Sequence, residues 1–316
     1  MNIIIAGGTG FIGQAMVKRY LAQGHTVSII GRSKEKTHAL FSHTVKFINW
    51  SELPSIGDDI VQKAQVIINL AGANIAAKRW TEKRKQELLN SRTYPTQKIA
   101  TLCAQLGPAS PPLLNAGGVG IYGHQVPLVN QLPPVLDERI ALNTDTPSDF
   151  LAELGHQWEA ATQVAKNAQV RVVNMRFGIV LDRNGGALPR MLLPFRFYLG
   201  GPMGSGQQPF PWIALNDLVK AVDFLIAHPN IRGPVNLVAP QGITQKQFIK
   251  AIGQALNKPS SLPMPEFAIK LLFGQMGKEL LLSGQHVAPH VLLDAGFLFQ
   301  YPTIESALTT ILGKKS

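Results

Sequence analysis

Cysteine is almost absent from this chain, and Cys103 is the single thiol among 316 residues. One thiol excludes an internal disulfide and a zinc site built from several thiolates. Uninterrupted apolar runs of about 18 residues, the length that spans a bilayer, are absent as well. No spacing of histidine and carboxylate side chains indicates a metal site. The sequence therefore predicts a cytoplasmic protein with neither a membrane partner nor a bound metal.

Acidic residues are also scarce, since 19 Asp and Glu accompany 30 Lys and Arg and leave a net charge of +11. Such a charge raises nucleic acid or anionic lipid as a partner. The basic residues are mostly dispersed, with one local cluster over residues 78–85, and no zinc-finger or RNA-recognition signature accompanies them. A basic surface suits a polyanionic cofactor or a phosphorylated substrate equally well. We therefore expect no nucleic-acid partner.

The strongest chemical signal is a set of glycines that follows the first apolar segment. Residues 3–5 are isoleucines, typical of a strand buried on both faces, and apolar residues recur at helical spacing after Gly10. Glycines at such a turn permit positive φ and let a pyrophosphate approach N–H groups at the helix N-terminus. The alternative is a tight turn that binds nothing. The predicted dinucleotide contacts are Gly7, Thr9, Gly10, Phe11, Ile12 and Gly13.

The second β-rich run, residues 26–30, indicates which dinucleotide is bound. It ends in Gly31-Arg32-Ser33, and no carboxylate follows until Glu35. In the dinucleotide fold an acidic residue at this strand end binds the ribose 2′-OH of NAD, whereas an arginine pairs with the 2′-phosphate of NADP. We therefore predict NADP(H), with Arg32 and Ser33 as the 2′-phosphate contacts. The alternative for Arg32 is a solvated loop charge.

Strands and helices alternate through the first half of the chain, which predicts an α/β doubly wound parallel sheet. We expect strands over residues 45–50, 66–70, 113–116 and 170–176, and helices over 60–64, 81–106 and 148–167, the second of these interrupted or kinked at Pro95. Small residues follow the strand at 66–70, and the carboxyl end of a strand is where a ligand lies. Leu70, Ala71, Gly72 and Ala73 are therefore further predicted cofactor contacts.

The character of the sequence changes after residue 180, where Gly and Pro punctuate short elements. We expect a cofactor-binding domain over residues 1–180, completed by about 212–240, and a smaller α+β domain on the substrate side over 181–316. Residues 124–147, rich in Pro, Asn and Asp, predict a loop over the site. Later helices are expected at 188–198, 216–227, 244–256, 266–273 and 303–312.

Several further motifs carry a resemblance to a known family: Asn69-Leu70-Ala71-Gly72, Ser91-Arg92, Gly120-Ile121-Tyr122-Gly123, Trp158-Glu159, Arg176-Phe177-Gly178 and Trp212-Ile213. With the glycine turn, they resemble the epimerase-like family of atypical, extended short-chain dehydrogenases/reductases, whose members carry a C-terminal domain of unknown function. The likeness covers nearly the whole length. It implies a Rossmann-type domain that binds NADP(H), with Arg92 among the cofactor contacts, and a nucleotide-sugar epimerase, dehydratase or oxidoreductase activity.

Departures from the family bear on catalysis. Relatives with established chemistry use a Tyr-x-x-x-Lys pair and a serine after the fifth strand. Here no tyrosine has a lysine four residues later, and Gly117 and Gly118 occupy the serine position. Tyr122 remains as a proton donor, with Asn115 to orient a substrate oxygen. In the alternative, Tyr122 packs over the nicotinamide and Asn115 satisfies backbone groups.

Two functions follow from these features. The intact cofactor motifs favour an enzyme that uses NADP(H) on a small molecule such as a nucleotide sugar, as a monomer or homodimer. The missing proton-transfer pair favours a non-catalytic protein that senses NADP(H) or serves as a scaffold. Glu159, beside Trp158, is expected to belong to a buried ion pair.

Overall fold

The computed structural model of the chain describes residues 1–53, 61–126, 128, 131–143 and 145–313. The strands in these ranges are β1 (Asn2–Ala6), β2 (Thr26–Gly31), β3 (Lys46–Asn49), β4 (Val66–Asn69), β5 (Leu113–Gly118), β6 (Val172–Phe177), β7 (Ile179–Asp182), β8 (Gly185–Gly186), β9 (Trp212–Ala214) and β10 (Gly233–Leu237). The first residue of the short helix expected over 60–64 lies outside these ranges. Four positions of the loop expected over 124–147 also lie outside them.

The α-helices with bounds inside these ranges are α1 (Phe11–Ala22), α2 (Lys34–Phe41), α3 (Glu82–Leu106), α4 (Phe150–Ala160), α5 (Gln163–Asn167), α6 (Leu188–Arg196), α7 (Leu215–Ala227), α8 (Gln245–Leu256), α9 (Glu266–Leu281), α10 (His290–Asp294) and α11 (Ile304–Leu312). A 3-10 turn over Val119–Tyr122 follows β5 directly. None of these helices combines the length and apolar character needed to cross a bilayer.

Seven strands form one parallel sheet in the order β3-β2-β1-β4-β5-β6-β10. Both faces of the sheet are covered, because Ile3 and Ile5 pack in the core with α1 and α7, whereas Ile4 packs on the opposite face with Ile99 of α3. This burial explains the continuous apolar run of β1. The predicted doubly wound sheet is confirmed, and its strand order reverses between β1 and β4, where ligands bind in such sheets.

A second, three-stranded sheet has the order β8-β7-β9. Its core contains Leu181, Trp212, Phe248 of α8 and Leu308 of α11. Later residues also return to the large sheet, since Leu292 and Phe297 are buried in the core beside β10 and α7. The C-terminal residues therefore complete two cores.

Three expected helices differ in part from the structure. The helix expected over 148–167 is divided into α4 and α5, because the Thr162 hydroxyl donates to the carbonyl oxygen of Glu159 at 2.7 Å and competes with the helical ladder. The helix α3 continues through Pro95 without interruption. The helix expected over 266–273 ends there as a regular helix, since Gly274 adopts φ +57° inside α9.

Candidate functional site

The glycine turn after β1 requires missing side chains at two positions. Gly7 has φ +77°, and a Cβ atom on it would lie 2.7 Å from the carbonyl oxygen of Leu70. A Cβ atom on Gly13 would lie 2.4 Å from the carbonyl oxygen of Gly7. The first glycine lets the segment after β4 approach the turn, and the second lets α1 pack directly against it. The backbone of the turn therefore packs closely against its neighbours, and neither glycine carries a side chain that would fill the space between them.

The N-terminus of α1 is free of side-chain caps. Its N-cap residue is Gly10, no acidic residue lies in the first turn, and the first helical bond runs from the Gln14 N–H to the Gly10 carbonyl at 2.8 Å. The N–H groups of the three residues between them therefore have no intrahelical partner. Uncapped N–H groups at the positive end of a helix bind anions, so this cradle fits a diphosphate.

The end of β2 presents Arg32 beside the start of α2. Arg32 is exposed and makes no hydrogen bond or ion pair with the described residues. Ser33 is the N-cap of α2: its hydroxyl accepts from the Lys36 N–H at 3.1 Å and donates to Glu35 Oε2 at 2.9 Å. Hydrogen bonding to the α2 backbone and to Ser33 lowers the pKa of Glu35. Arg32 is therefore available to a ligand, whereas the Ser33 hydroxyl already caps a helix.

The segment after β4 is supported from below by Arg92. The Arg92 guanidinium donates to the carbonyl oxygens of Ala73 at 3.0 Å and Leu88 at 3.1 Å, and it lies 5.0 Å from the ring centre of Trp158. Burial, and secondarily Arg84, lowers the pKa of Arg92 to about 10. Arg92 is only 8% exposed and supports the backbone at Gly72, and its direct contact with the cofactor stays a prediction.

Asn115 lies inside the protein rather than at the surface of the site. Its side chain is completely buried, and Asn115 Oδ1 accepts from Asn69 Nδ2 at 2.7 Å and from the Thr96 hydroxyl at 3.2 Å. Its amide nitrogen donates to the carbonyl oxygen of Ala116 at 3.0 Å. Complete burial keeps this amide away from the surface of the site, and both its oxygen and its nitrogen bond to protein groups. The orienting role of Asn115 therefore stays a prediction, and the bond to Ala116 favours the alternative, in which Asn115 satisfies backbone groups.

Tyr122 ends the 3-10 turn after β5 and belongs to a polar network at the carboxyl ends of β5, β6 and β10. Its hydroxyl accepts from Arg176 Nη1 at 2.9 Å and donates to Asn236 Oδ1 at 3.0 Å. Arg176 also binds Glu159 through two bonds, of 2.7 and 2.9 Å. The predicted ion pair of Glu159 is confirmed. The network continues through Asn236, whose N–H donates to Glu138 Oε1 at 2.8 Å.

Sequence reasoning did not assemble this network, although its members stand in two of the quoted motifs. Trp158-Glu159 lies on α4 and Arg176-Phe177-Gly178 ends β6, and nothing in one sequence pairs them. Asn236 and Glu138 carried no signal at all. The strand register does bring Gly117 beside Arg176 and Arg176 beside Asn236. A charged residue at the end of a buried strand, such as Arg176, is therefore the sequence feature that could have indicated this network.

Burial governs protonation in this network. Burial raises the pKa of Tyr122, and the nearby Arg176 guanidinium opposes that rise without cancelling it. Burial also raises the pKa of Glu138, against its hydrogen bonds from backbone N–H groups. The phenol of Tyr122 is thus neutral at pH 7, with both its donor and its acceptor function already used by protein groups.

Open space lies next to the network at Gly118. A Cβ atom on Gly118 would meet no heavy atom within 4 Å, and its φ of −142° is extended backbone that any residue adopts. On Gly117 a Cβ atom would lie 3.4 Å from the Met175 carbonyl oxygen, an ordinary contact. Neither glycine is required by the backbone, so the serine of the family is absent without a packing reason.

The hairpin of β7 and β8 contacts the cofactor turn. A Cβ atom on Gly185 would lie 2.3 Å from the ring of Phe11, and one on Gly186, where φ is +71°, would lie 2.9 Å from it. Phe11 is the first residue of α1. The ring of Phe11 is therefore held by this hairpin, a contact that the sequence did not indicate. In the described part of the chain, no group of three His, Cys, Asp or Glu residues is arranged to hold a metal ion.

Comparison with known proteins identifies the family. Residues 3–237 match the NAD dependent epimerase/dehydratase family, and residues 264–311 match a domain of unknown function, DUF1731. An epimerase family protein of Mycobacterium bovis is 38% identical over 308 residues, which are 97% of this chain and 96% of the relative.

Solved structures agree with this assignment. The crystal structure of the human epimerase family protein SDR39U1 with NADPH has a TM-score of 0.84 at 33% identity and covers 99% of both chains. The Thermus thermophilus UDP-glucose 4-epimerase in complex with NAD shares the fold, with a TM-score of 0.70 at 17% identity over 99% of this chain and 98% of that one. The glycine turn and the uncapped start of α1 are consistent with the family model that matches residues 3–237. The chain belongs to the NAD-dependent epimerase/dehydratase family.

Proposed function

We propose that this protein binds NADP(H) and uses it to oxidise, reduce or epimerise a small alcohol or carbonyl substrate. The observation that carries the cofactor choice is Arg32, an exposed guanidinium at the end of β2 without a protein partner in the described ranges. This position faces the ribose 2′ oxygen in dinucleotide-binding sheets. The NADPH in the human relative supports the same choice.

The proposal assigns the cofactor to the glycine turn and the segment after β4. Gly7, Gly10 and Gly13 leave room for a diphosphate at the N-terminus of α1, and residues 70–73 form the floor beside it. A bound nicotinamide supplies or accepts a hydride. The chain's own residues bind the diphosphate, select the 2′-phosphate and hold a neutral phenol at Tyr122. The substrate side is proposed to be formed by residues 181–316 against the cofactor part over 1–180.

Nucleotide sugars are the first substrate class to test. The fold is shared with a UDP-glucose 4-epimerase, and the net charge of +11 favours a phosphorylated substrate. A cytoplasmic location and a monomeric or homodimeric state complete the proposal.

Cofactor choice is tested by calorimetric titration with NADPH and NADH. We expect tighter binding of NADPH, and we expect Arg32→Asp to weaken it about tenfold or more, since a charge-assisted hydrogen bond contributes roughly 1.5–3 kcal/mol. Arg232→Asp is the matched control, because Arg232 is also exposed but precedes β10 at the opposite edge of the sheet. Equal affinity of the parent protein for both nucleotides would contradict the proposal.

A second function, NADP(H) sensing without turnover, is favoured by one specific observation. The hydroxyl of Tyr122 is fully engaged by Arg176 and Asn236, and Asn115 is buried. At the described ends of β5 and β6, the two groups predicted to act on a substrate, Tyr122 and Asn115, are thus already bonded to protein groups. A cofactor-binding protein with no free proton donor there is suited to report occupancy.

Turnover separates the two functions. Purified protein is mixed with NADPH and a panel of nucleotide sugars, aldehydes and quinones, and the absorbance of the reduced nicotinamide is followed. Epimerisation leaves that absorbance unchanged, so incorporation of solvent deuterium into nucleotide sugars is measured in parallel. Steady consumption or incorporation that Tyr122→Phe abolishes supports an enzyme with a catalytic phenol. Tight NADPH binding without either signal supports the sensor.

A further inference from the structure

Three consecutive apolar side chains project into solvent at the end of α6. Phe197 is 71% exposed, Tyr198 64% and Leu199 55%. Scattered exposed apolar residues are ordinary, but a contiguous group marks a contact surface.

The backbone at this place does not require an aromatic residue. The Tyr198 N–H donates to the Phe195 carbonyl at 3.2 Å and the Leu199 N–H to the Pro194 carbonyl at 3.0 Å, the two bonds of a Schellman C-cap. Tyr198 occupies the left-handed position of that cap with φ +61°. Glycine is preferred there, and a bulky residue is strained. Glycine would close the turn at lower energy, so the turn does not require a tyrosine at this position.

A second apolar segment runs beside the first. The Leu262 N–H donates to the Gly200 carbonyl at 3.1 Å, and the Gly204 N–H donates to the Met264 carbonyl at 2.9 Å. Leu262 is 55% exposed, and Phe267 and Leu271, one turn apart on α9, are each 73% exposed. Backbone bonds thus join the two segments, and we define their exposed apolar residues Phe197, Tyr198, Leu199, Leu262, Phe267 and Leu271 as the apolar patch.

Basic side chains accompany the apolar patch. Residues 188–204 and 257–273 contain Arg190, Arg196, Lys258 and Lys270 but one acidic residue, Glu266, which is bonded to Lys270 at 2.6 Å. The Lys258 ammonium lies 4.3 Å from the ring centre of Tyr198. The surroundings of the patch are thus cationic. A second copy of the chain would place the same basic residues on both sides of the contact.

We propose that the apolar patch docks this protein onto an anionic lipid bilayer surface. Aromatic rings favour the depth of the lipid head groups, and lysine and arginine beside them attract acidic lipids. Such a contact lies on the membrane and needs no spanning helix. The expectation of no membrane partner rested on the absence of a spanning segment, which does not bear on a surface contact.

The test is co-sedimentation of the full chain with vesicles of phosphatidylcholine alone or mixed with phosphatidylglycerol. We expect binding to the anionic vesicles that exceeds binding to neutral ones and falls as salt rises. Phe267→Ser is expected to weaken binding about tenfold, because an inserted aromatic side chain is lost. Leu298→Ser is the matched control, since Leu298 is 87% exposed but lies outside the patch, and it should bind as the parent does.

Tyr198→Gly separates docking from folding. Glycine relieves the strain at φ +61°, so we expect an equal or higher Tm together with weaker vesicle binding. Absence of binding to anionic vesicles, or equal binding to neutral ones, overturns the proposal. A dimer in sedimentation velocity that Phe267→Ser dissociates also overturns it and makes the patch a contact between copies. None of these results depends on NADPH binding.

Discussion

At the scale of single residues, the buried pair of Arg176 and Glu159 determines what the candidate site can do. Arg176 is 3% exposed, so its positive charge is stabilised by the carboxylate of Glu159 and by the Tyr122 hydroxyl instead of by water. A guanidinium fixed on both sides holds the phenol in one orientation. The pair therefore positions Tyr122, whether or not Tyr122 transfers a proton.

Breaking the pair should be costly. We expect Glu159→Ala to lower the free energy of unfolding by about 3–5 kcal/mol, because it leaves a buried charge without its partner. Replacement of both residues, Glu159→Leu with Arg176→Met, should cost less than the single change, since no uncompensated charge remains. Urea denaturation of both variants measures the difference. A single-variant loss below about 1 kcal/mol, the usual value of an exposed pair, would show that the pair is hydrated.

At the scale of elements, α4 begins at a carboxylate with several donors. Asp149 is its N-cap and accepts from the N–H groups of Ala152 and His124, both at 2.9 Å, and from the Ser148 hydroxyl at 3.1 Å. Burial raises the pKa of Asp149, but hydrogen bonds from Ala152 and His124 outweigh burial, and the net pKa is lowered. A lowered native pKa stabilises the fold wherever this carboxylate is ionised.

The sign of the pH dependence follows. The stabilisation by Asp149 is fully present above the ordinary aspartate pKa of about 3.9 and is lost as pH falls through the lower native pKa. Asparagine keeps a good N-cap without the charge. We expect Asp149→Asn to be less stable than the parent at pH 7 and the gap to narrow as pH falls toward 4 and below. Thermal unfolding across this range measures it, and a gap that widens in acid would reverse the assignment.

The turn between β1 and α1 offers a paired test with alanine. A Cβ atom on Gly13 meets the Gly7 carbonyl oxygen at 2.4 Å, whereas one on Gly118 meets nothing. We expect Gly13→Ala to cost about 1–3 kcal/mol through overpacking and to weaken NADPH binding, since α1 must move away from the turn. Gly118→Ala should change the Tm by no more than about 1 °C. A loss of stability equal to that of Gly13→Ala would contradict the open space at Gly118.

Elements were more predictable from the sequence than their contacts. Local patterns located β1, α1, β2 and β4 because periodicity and glycine spacing are local properties. The division of α4 from α5 was missed, since a single threonine hydroxyl competes with the ladder there. Burial of Asn115 and Arg92 is not visible in a local pattern, because a strand end or a helix position looks the same in sequence whether its side chain faces a ligand or another element.

At the scale of the whole molecule, Asp217 ties the end of the chain to the large sheet. This residue of α7 is completely buried, and its two carboxylate oxygens accept from the N–H groups of Gln300 and Tyr301, each at 2.9 Å. These two bonds precede α11, which packs on α8 in the second core. One carboxylate therefore connects the two cores, a long-range contact that no local pattern reveals.

Removal of that carboxylate should loosen the last residues. Asp217→Ala removes the acceptor of two charge-assisted hydrogen bonds, so we expect a loss of about 2–5 kcal/mol in the free energy of unfolding. Hydrogen exchange should become faster over residues 300–312 and stay unchanged in β1. Asp223→Ala, on the same helix, is the control, because its bond to Arg19 is partly exposed and contributes about 1 kcal/mol or less. Unchanged exchange over 300–312 would show that packing alone holds the segment.

The order in which the chain is synthesised bears on the burial of Asp217. Its amide donors lie more than eighty positions later in the chain, and the core beside β10 also waits for Leu292 and Phe297. Until those residues are made, the Asp217 carboxylate lacks its two backbone donors. Docking of residues 292–301 is thus a late step of folding, and we expect a chain cut before residue 300 to unfold at a lower temperature than the chain described here.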